Sequence, residues 1–327
     1  MNRINDGSNV WSIILAGGEG NRLKNLVERW LGYHKPKQYC TFVGTRSMLQ
    51  HTLDRADQIS APACKVTVIA RSHRWAAWPQ LRGRPGSVIL QPANRGTAAA
   101  IFLAVAHVRA CDPKATVVIY PSDHFVYPET RFVEMVRATV LASQQLKSWL
   151  FLLGVSPDGL ETEYGWIHPG QHLGWMGGNR VRAVEAFLEK PDLEKCRAAI
   201  AAGDLWSTLI LAAGAESLWA IGRHCFPDMI RLFERYREAI GTSQQGTFLQ
   251  AAYAGIPQRD FSSDLLARIP KQIAVIELRD VLWCDWGQPQ RIVESLRRIG
   301  RPPAFPLRRV AGLDLRQDEF IPQPMAG

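Results

Sequence analysis

Trp11-Ser12-Ile13-Ile14-Leu15-Ala16-Gly17-Gly18-Glu19-Gly20-Asn21-Arg22-Leu23 sets a short apolar, β-branched run directly against a glycine-rich turn that ends on an arginine. The run has the length and composition of a buried strand. Three glycines behind it let the backbone approach a ligand closely, and successive N–H groups in such a turn can cradle phosphate oxygens. No Gly-Lys-Ser/Thr follows, so the segment is not a P-loop. It is not the dinucleotide fingerprint either, because Leu23 stands where that pattern needs its third glycine.

Similar runs recur along the 327 residues. Strands are predicted over 11–16, 65–70, 87–91, 116–120, 149–154, 181–188, 205–212 and 272–278. Helical periods fall over 48–58, 97–109, 131–145, 193–202, 216–224 and 229–240. In the first half the two alternate, which implies parallel pairing through right-handed crossovers. The expected fold is α/β, an open, doubly wound, mostly parallel sheet. Residues 1–300 read as one domain, and 301–327, rich in Pro and Arg, as a loosely held tail.

Unusual residues follow the predicted strands directly. Gly17-Gly18-Glu19-Gly20, Gln91-Pro92, Ser122-Asp123-His124 and Glu189-Lys190-Pro191 each sit just past one. In open α/β sheets the ligand crevice lies outside the carboxyl ends of the strands, so these clusters are expected to converge on one edge.

Composition narrows the partners. Lys and Arg outnumber Asp and Glu by 39 to 30, a formal charge of +9 that suits an anionic ligand. The cations are scattered, and the tightest group, Arg297, Arg298 and Arg301, reads as a solvated helix end. Aromatic interleaving and any recognisable nucleic-acid module are missing, so no nucleic-acid partner is expected. The six cysteines form no Cys-x-x-Cys pair and no zinc spacing, which suits free thiols in a reducing compartment. The apolar stretch 98–108 contains His107 and is too short to span a bilayer, and the N-terminus is polar. No membrane association and a cytoplasmic location are expected. A homo-oligomer is compatible with the sequence.

The glycine-rich stretch resembles the opening signature of the sugar-phosphate nucleotidyltransferases, Leu-Ala-Gly-Gly-x-Gly-Thr-Arg-Leu followed by a Pro-Lys pair, here Pro36-Lys37. Continued by Gln38-Tyr39, it is most similar to the mannose-1-phosphate guanylyltransferase branch. The likeness runs from about residue 11 to about 296. It includes Gln91-Pro92-Ala93-Asn94-Arg95-Gly96-Thr97-Ala98, Pro121-Ser122-Asp123-His124, Glu163-Tyr164-Gly165-Trp166-Ile167, Phe187-Leu188-Glu189-Lys190-Pro191 and Trp283-Cys284-Asp285-Trp286-Gly287-Gln288-Pro289. The resemblance implies a Rossmann-like catalytic domain that joins a nucleoside triphosphate to a hexose 1-phosphate and releases pyrophosphate. GTP with mannose 1-phosphate is the expected pair. A glucose-1-phosphate enzyme using UTP, dTTP or ATP, or a non-catalytic nucleotide-sugar-binding regulator, are the alternatives.

The chemistry of that reaction explains the residue types. A sugar 1-phosphate is an anion at neutral pH and needs no general base. The difficulty is electrostatic, since two polyanions must meet and charge must pass to pyrophosphate. Arg22 and Lys37 are the natural cations for the triphosphate. Gly17, Gly18 and Gly20 would hold its phosphates. The resemblance further implies nucleobase contacts at Gln91 and Gly96, Mg²⁺ on Asp123 and Asp285, sugar hydroxyls on Glu189, the 1-phosphate on Lys190, and sugar contacts at Gly165 and Ser207. His124 is expected to orient its loop. Four departures stand out: Asn21 for Thr, Ser207 and Leu209 in place of Asn and Gly in a Trp-Asn-Ser-Gly run, Gly96 and Ala99 in place of Asn and Pro in an Arg-Asn-Thr-Ala-Pro run, and a segment 261–268 unlike the family's.

Overall fold

The opening apolar run is strand β1 (Val10–Ala16), and in this computed structural model, which describes residues 9–306, it lies inside a nine-stranded sheet. The other strands are β2 (Lys65–Ala70), β3 (Ser87–Gln91), β4 (Thr116–Pro121), β5 (Phe125–Tyr127), β6 (Leu150–Val155), β7 (Gly165–Met176), β8 (Asn179–Glu189), β9 (Leu205–Gly214), β10 (Ile273–Glu277) and β11 (Leu282–Cys284). The sheet order is β3-β2-β1-β4-β9-β6-β10-β8-β7, and β5 pairs with β11 in a separate ribbon. β2, β4 and β6 are buried along their whole length, as continuous Val/Ile/Leu runs should be when helices cover both faces.

β1 to β4, β6, β7 and β10 share one direction, and β8 and β9 oppose it. The mostly parallel sheet expected from the sequence is therefore present, with β9 inserted antiparallel between β4 and β6. The second half is less open than expected, because β7 also pairs with β9 through Trp166 and Ile167 and curls that end of the sheet. β7 and β8 form a long hairpin whose turn is Gly177-Gly178, with φ of 54° and 77°. Two consecutive left-handed residues make the turn that suits a twisted hairpin, and glycine adopts them without strain.

One face of the sheet carries the helices Gly96–Cys111, Ala215–Cys225, Pro227–Ala239 and Gln245–Gly255; the other carries Met48–Ala56, Arg74–Leu81 and Glu129–Gln145. The apolar stretch 98–108 is the middle of the first of these, buried between the sheet and its neighbours. A helix that is apolar on every side belongs in such a place. No helix among the described residues is long and apolar enough to cross a membrane.

A third apolar cluster positions the chemistry. Leu23, Leu26 and Val27 behind the glycine turn pack with Phe42, Trp286, Ile292 and Leu296. It docks the helix Lys24–Leu31 against the helix Pro289–Arg298 and so brings early and late parts of the described residues together. The tail expected after residue 300 starts packed rather than loose: Phe305 is buried beside Trp30 and Phe42, and Ala304 N–H donates to the Phe42 carbonyl at 2.8 Å. The rest of that tail lies outside the described residues.

Candidate active site

The glycine turn is held from behind by the Pro-Lys-Gln-Tyr segment. Gln38 Nε2 donates to the Ala16 and Gly18 carbonyls at 2.9 and 2.8 Å, and the Tyr39 hydroxyl donates to Ala16 at 2.7 Å. Three glycines serve three purposes. A Cβ on Gly17 would stand 2.5 Å from Gln91 Oε1, and one on Gly20, already at φ 67°, would stand 2.7 Å from the Lys37 nitrogen. A Cβ on Gly18 would meet nothing within 4 Å, so packing does not demand a glycine there. That leaves close approach of a ligand. Gly18→Ala is expected to leave unfolding stability within about 0.5 kcal/mol yet weaken nucleotide binding tenfold or more, whereas Gly20→Ala costs about 1–2 kcal/mol of stability. Denaturant titration beside nucleotide calorimetry checks this; undiminished affinity in Gly18→Ala refutes it.

Lys37 follows the turn and is 3% exposed. Its Nζ lies 3.0 Å from Asp123 Oδ2 and donates to the Asp285 backbone carbonyl. Arg22 Nη2 lies 2.6 Å from Asp285 Oδ2, while Asp285 Oδ1 accepts from the Tyr164 hydroxyl at 2.5 Å and from Gly287 N–H at 2.9 Å. Burial opposes ionisation of Asp285, but Lys37 and then Arg22 outweigh it and hold the carboxyl down at about 2. Burial likewise works against Asp123, and Lys37 followed by His124 keeps it below its ordinary range. Burial pushes His124 down to about 4, so at neutral pH it is uncharged, edge-on to Trp283. Two ionised carboxylates thus flank one ammonium group. No cluster of three or more His, Cys, Asp or Glu suited to a metal occurs among the described residues. Two carboxylates nevertheless fit a hard divalent cation that fills the rest of its shell with water and phosphate oxygens.

The sugar-side residues form the adjoining rim. Lys190 N–H donates to the Tyr164 carbonyl at 3.1 Å, which ties this rim to Asp285 through a single tyrosine. Gly165 pairs with Glu189 across β7 and β8, and a Cβ on it would stand 2.9 Å from Glu189 Oε2. Burial, and next the negative charge of Asp260, pushes the Glu189 carboxyl up to about 7. Lys190 is exposed, with Nζ 3.9 Å from Glu189. Ser207 turns its Oγ to Leu209 N–H at 3.4 Å.

Between the glycine turn and these strands lies a cavity of about 560 Å³, lined among others by Gly17, Gly18, Gln91, Gly96, Asp123 and Asp260. Three of the four clusters expected on one edge line it, and the fourth approaches through Glu189 and Asp260. A sheet-edge crevice bordered by glycine backbone, the buried Lys37, the half-exposed Arg22 and two carboxylates is chemistry for phosphates. The family model described as nucleotidyl transferase matches residues 11–300. The chain belongs to the nucleotidyl transferase family.

Relatives of this nucleotidyl transferase include the xanthan biosynthesis protein XanB of Xanthomonas campestris, 35% identical over 202 residues, which are 61% of this chain and 40% of that protein. The mannose-1-phosphate guanylyltransferase of Sinorhizobium fredii is 28% identical over 280 residues, 84% of this chain and 52% of its own. That of Escherichia coli is 28% identical over 288 residues, 86% and 58%. The chain spans about half the length of the curated relatives it matches. Among solved structures, mannose-1-phosphate geranyltransferase from Thermus thermophilus superposes with a TM-score of 0.72 at 23% identity, covering 93% of this chain and 80% of that one. At that identity the likeness shows the fold.

This nucleotidyl transferase also has site features that sequence reasoning missed. Arg291 Nη1 donates to the Tyr164 hydroxyl at 2.5 Å, and its guanidinium lies 5.2 Å from the centres of both the Tyr164 and Trp206 rings. It stands in the first turn of the helix Pro289–Arg298, where a cation opposes the helix dipole. That mismatch was the available signal. Asp260 caps the helix Phe261–Asp264 and accepts from Thr97 Oγ1 at 2.9 Å. The Arg259 backbone sits where a Cβ on Gly96 would go, so the unfamiliar 261–268 segment is docked on the start of the helix Gly96–Cys111. Leu209, at φ 54°, holds a conformation that costs a residue with a Cβ about 1–2 kcal/mol.

Proposed function

We propose that this chain transfers a nucleotidyl group from a nucleoside triphosphate to a hexose 1-phosphate, giving an NDP-sugar and pyrophosphate, with GTP and mannose 1-phosphate as its pair. The observation that carries the reading is the buried Lys37 ammonium shared by Asp123 and the Asp285 carbonyl, with Arg22 on the Asp285 carboxylate, all at the foot of the glycine turn. The names of the Sinorhizobium and Escherichia relatives support the choice of base and sugar.

In this reading the 1-phosphate oxygen of the sugar attacks the α-phosphorus and pyrophosphate leaves. Gly17, Gly18 and Gly20 position the triphosphate, with Gln91 and Gly96 on the base side. Arg22 and Lys37 neutralise charge moving to the leaving group, where losing one such donor costs about 10²–10³ in rate. Glu189 accepts from sugar hydroxyls, Lys190 holds the 1-phosphate, and Gly165 and Ser207 border the ring. Asp123 and Asp285 would hold Mg²⁺, which when bound neutralises and orients the phosphates. The reading places the chain in the cytoplasm, where such substrates and the free thiols fit. Pyrophosphate release from a panel of triphosphates and sugar 1-phosphates with Mg²⁺ tests it. Release with GTP and mannose 1-phosphate above all other pairs is expected; silence across the panel overturns it.

Glu189 predicts the pH response. Its carboxyl titrates near 7 in the fold against an ordinary 4.5, so below 7 it is protonated and loses acceptor capacity. KM for the sugar 1-phosphate should fall as pH rises through 7, and this limb should vanish in Glu189→Gln, which separates it from titration of the substrate. The sign for folding is opposite. The folded chain holds the extra proton between 4.5 and about 7, so this group's contribution to stability declines as pH rises across that window. Identical pH profiles in wild type and Glu189→Gln refute the assignment.

A further inference from the structure

β9 slips against β6 beside the cavity. Leu152 faces Leu211 but Gly154 faces Ser207, so β9 spends four steps where β6 spends two. Thr208 sustains the bulge: its buried Oγ1 donates to the Leu153 carbonyl at 2.7 Å and accepts from Ile210 N–H at 3.2 Å. Bulges re-aim a side chain out of the alternation of the strand. The re-aimed residue is Leu209, and it lines the cavity.

Leu209 is the only branched aliphatic residue with a left-handed backbone among the described residues. Glycine would sit there without strain, and strained positions persist where the side chain is needed. Lys190, Asp280 and Trp286, at φ 47°, 60° and 49°, share this conformation, but of the four only Leu209 lines the cavity. Leu209 packs against the core, and with Leu15 and Ala100 it lines the cavity that holds Asp123 and Asp260. Its strand enters from Ser207, next to Trp206, which pairs with Trp166 beside Gly165 and Glu189. Leu209 therefore shares its cavity with Asp123 and Asp260, the latter close enough to act on Glu189, and lies two residues along its strand from Ser207 of the sugar rim.

We propose that Leu209 is a specificity-determining residue for the sugar 1-phosphate. Its isobutyl group admits a ring that turns C–H bonds toward it. It rejects a ring that turns a hydroxyl there, because that hydroxyl would lose water and gain no partner. This inference rests on the reading of the site given under Proposed function.

The test compares wild type, Leu209→Gly and Leu209→Ala on mannose, glucose, galactose and 6-deoxyhexose 1-phosphates with one triphosphate. Leu209→Gly relieves the backbone and Leu209→Ala keeps most of its strain, so an effect common to both comes from the lost side chain. The ratio of kcat/KM between the preferred and the poorest sugar is expected to fall tenfold or more in both variants, while the triphosphate KM moves less than twofold. Ratios within twofold of wild type in active variants overturn the proposal, as does a change confined to the triphosphate. Absence of turnover by the unsubstituted protein overturns the parent reading, and this one with it.

Discussion

Lys37→Met is expected to abolish measurable pyrophosphate release and to make the folded protein depend on a divalent cation. Lys37 is 3% exposed, and its ammonium is the cation nearest to Asp123 and in contact with the Asp285 carbonyl. Removing one member of a buried charge group leaves the others uncompensated, which costs roughly 3–5 kcal/mol when all are fully buried. Asp123 keeps 36% of its side chain exposed, so solvent recovers part of this and a loss of about 2 kcal/mol is expected. A divalent ion bound by the folded state alone stabilises it by mass action. Mg²⁺ should therefore raise the Tm of Lys37→Met more than that of wild type, because Asp123 has lost its contacting cation while Asp285 keeps only Arg22. Turnover should not return, since the metal replaces the charge between the aspartates and not the donor to the leaving phosphate. Equal Mg²⁺ shifts in the two proteins would remove Asp123 and Asp285 from the metal assignment.

The same contacts show which parts of the site a sequence can announce. Gly17, Gly20 and Asp123 lie within four residues of the ends of mostly apolar, buried strands, and the rule that ligands gather at the carboxyl ends of such strands brings them together. Lys37 lies well past β1, and its Pro-Lys motif marked it. Asp285 follows only the three-residue strand β11, which has no period of its own, so only its neighbouring motif marked it. Arg291 acts through Tyr164, 127 positions earlier, and nothing local fixes that meeting. It is set by the cluster of Phe42, Trp286, Ile292 and Leu296. β7 was hidden because Gly165, Pro169, Gly170 and Gly174 interrupt its pattern; its long partner β8 supplies the pairing that keeps it a strand. The left-handed Leu209 contradicts local preference altogether. Conflicts of that kind mark places where tertiary structure imposes a conformation for a purpose other than stability.

Asp285→Asn is expected to reduce turnover by about 10³-fold and to remove a defined part of the acid stability. Its two oxygens accept from Arg22, Tyr164 and Gly287, all donors, so an amide NH₂ in place of one oxygen must face a donor it cannot satisfy. The carboxyl is held at about 2 against an ordinary 3.8, with Lys37 and then Arg22 outweighing burial. A depressed carboxyl contributes stability above its unfolded value and loses it as pH falls through the folded one. From a shift of that size, on a side chain 8% exposed, the contribution at pH 7 is on the order of 2 kcal/mol. Urea titrations of wild type and Asp285→Asn should therefore differ by about that amount from pH 5 to 7 and draw together between about pH 4 and 2. Arg22→Gln should reproduce part of the stability difference and, by loss of its own contact to phosphate, a large part of the rate loss. Parallel stability curves down to pH 2 would mean that Asp285 is not the ionised anchor around which Arg22, Lys37 and Tyr164 are arranged, and the charge arrangement on which phosphate transfer depends would lose its centre.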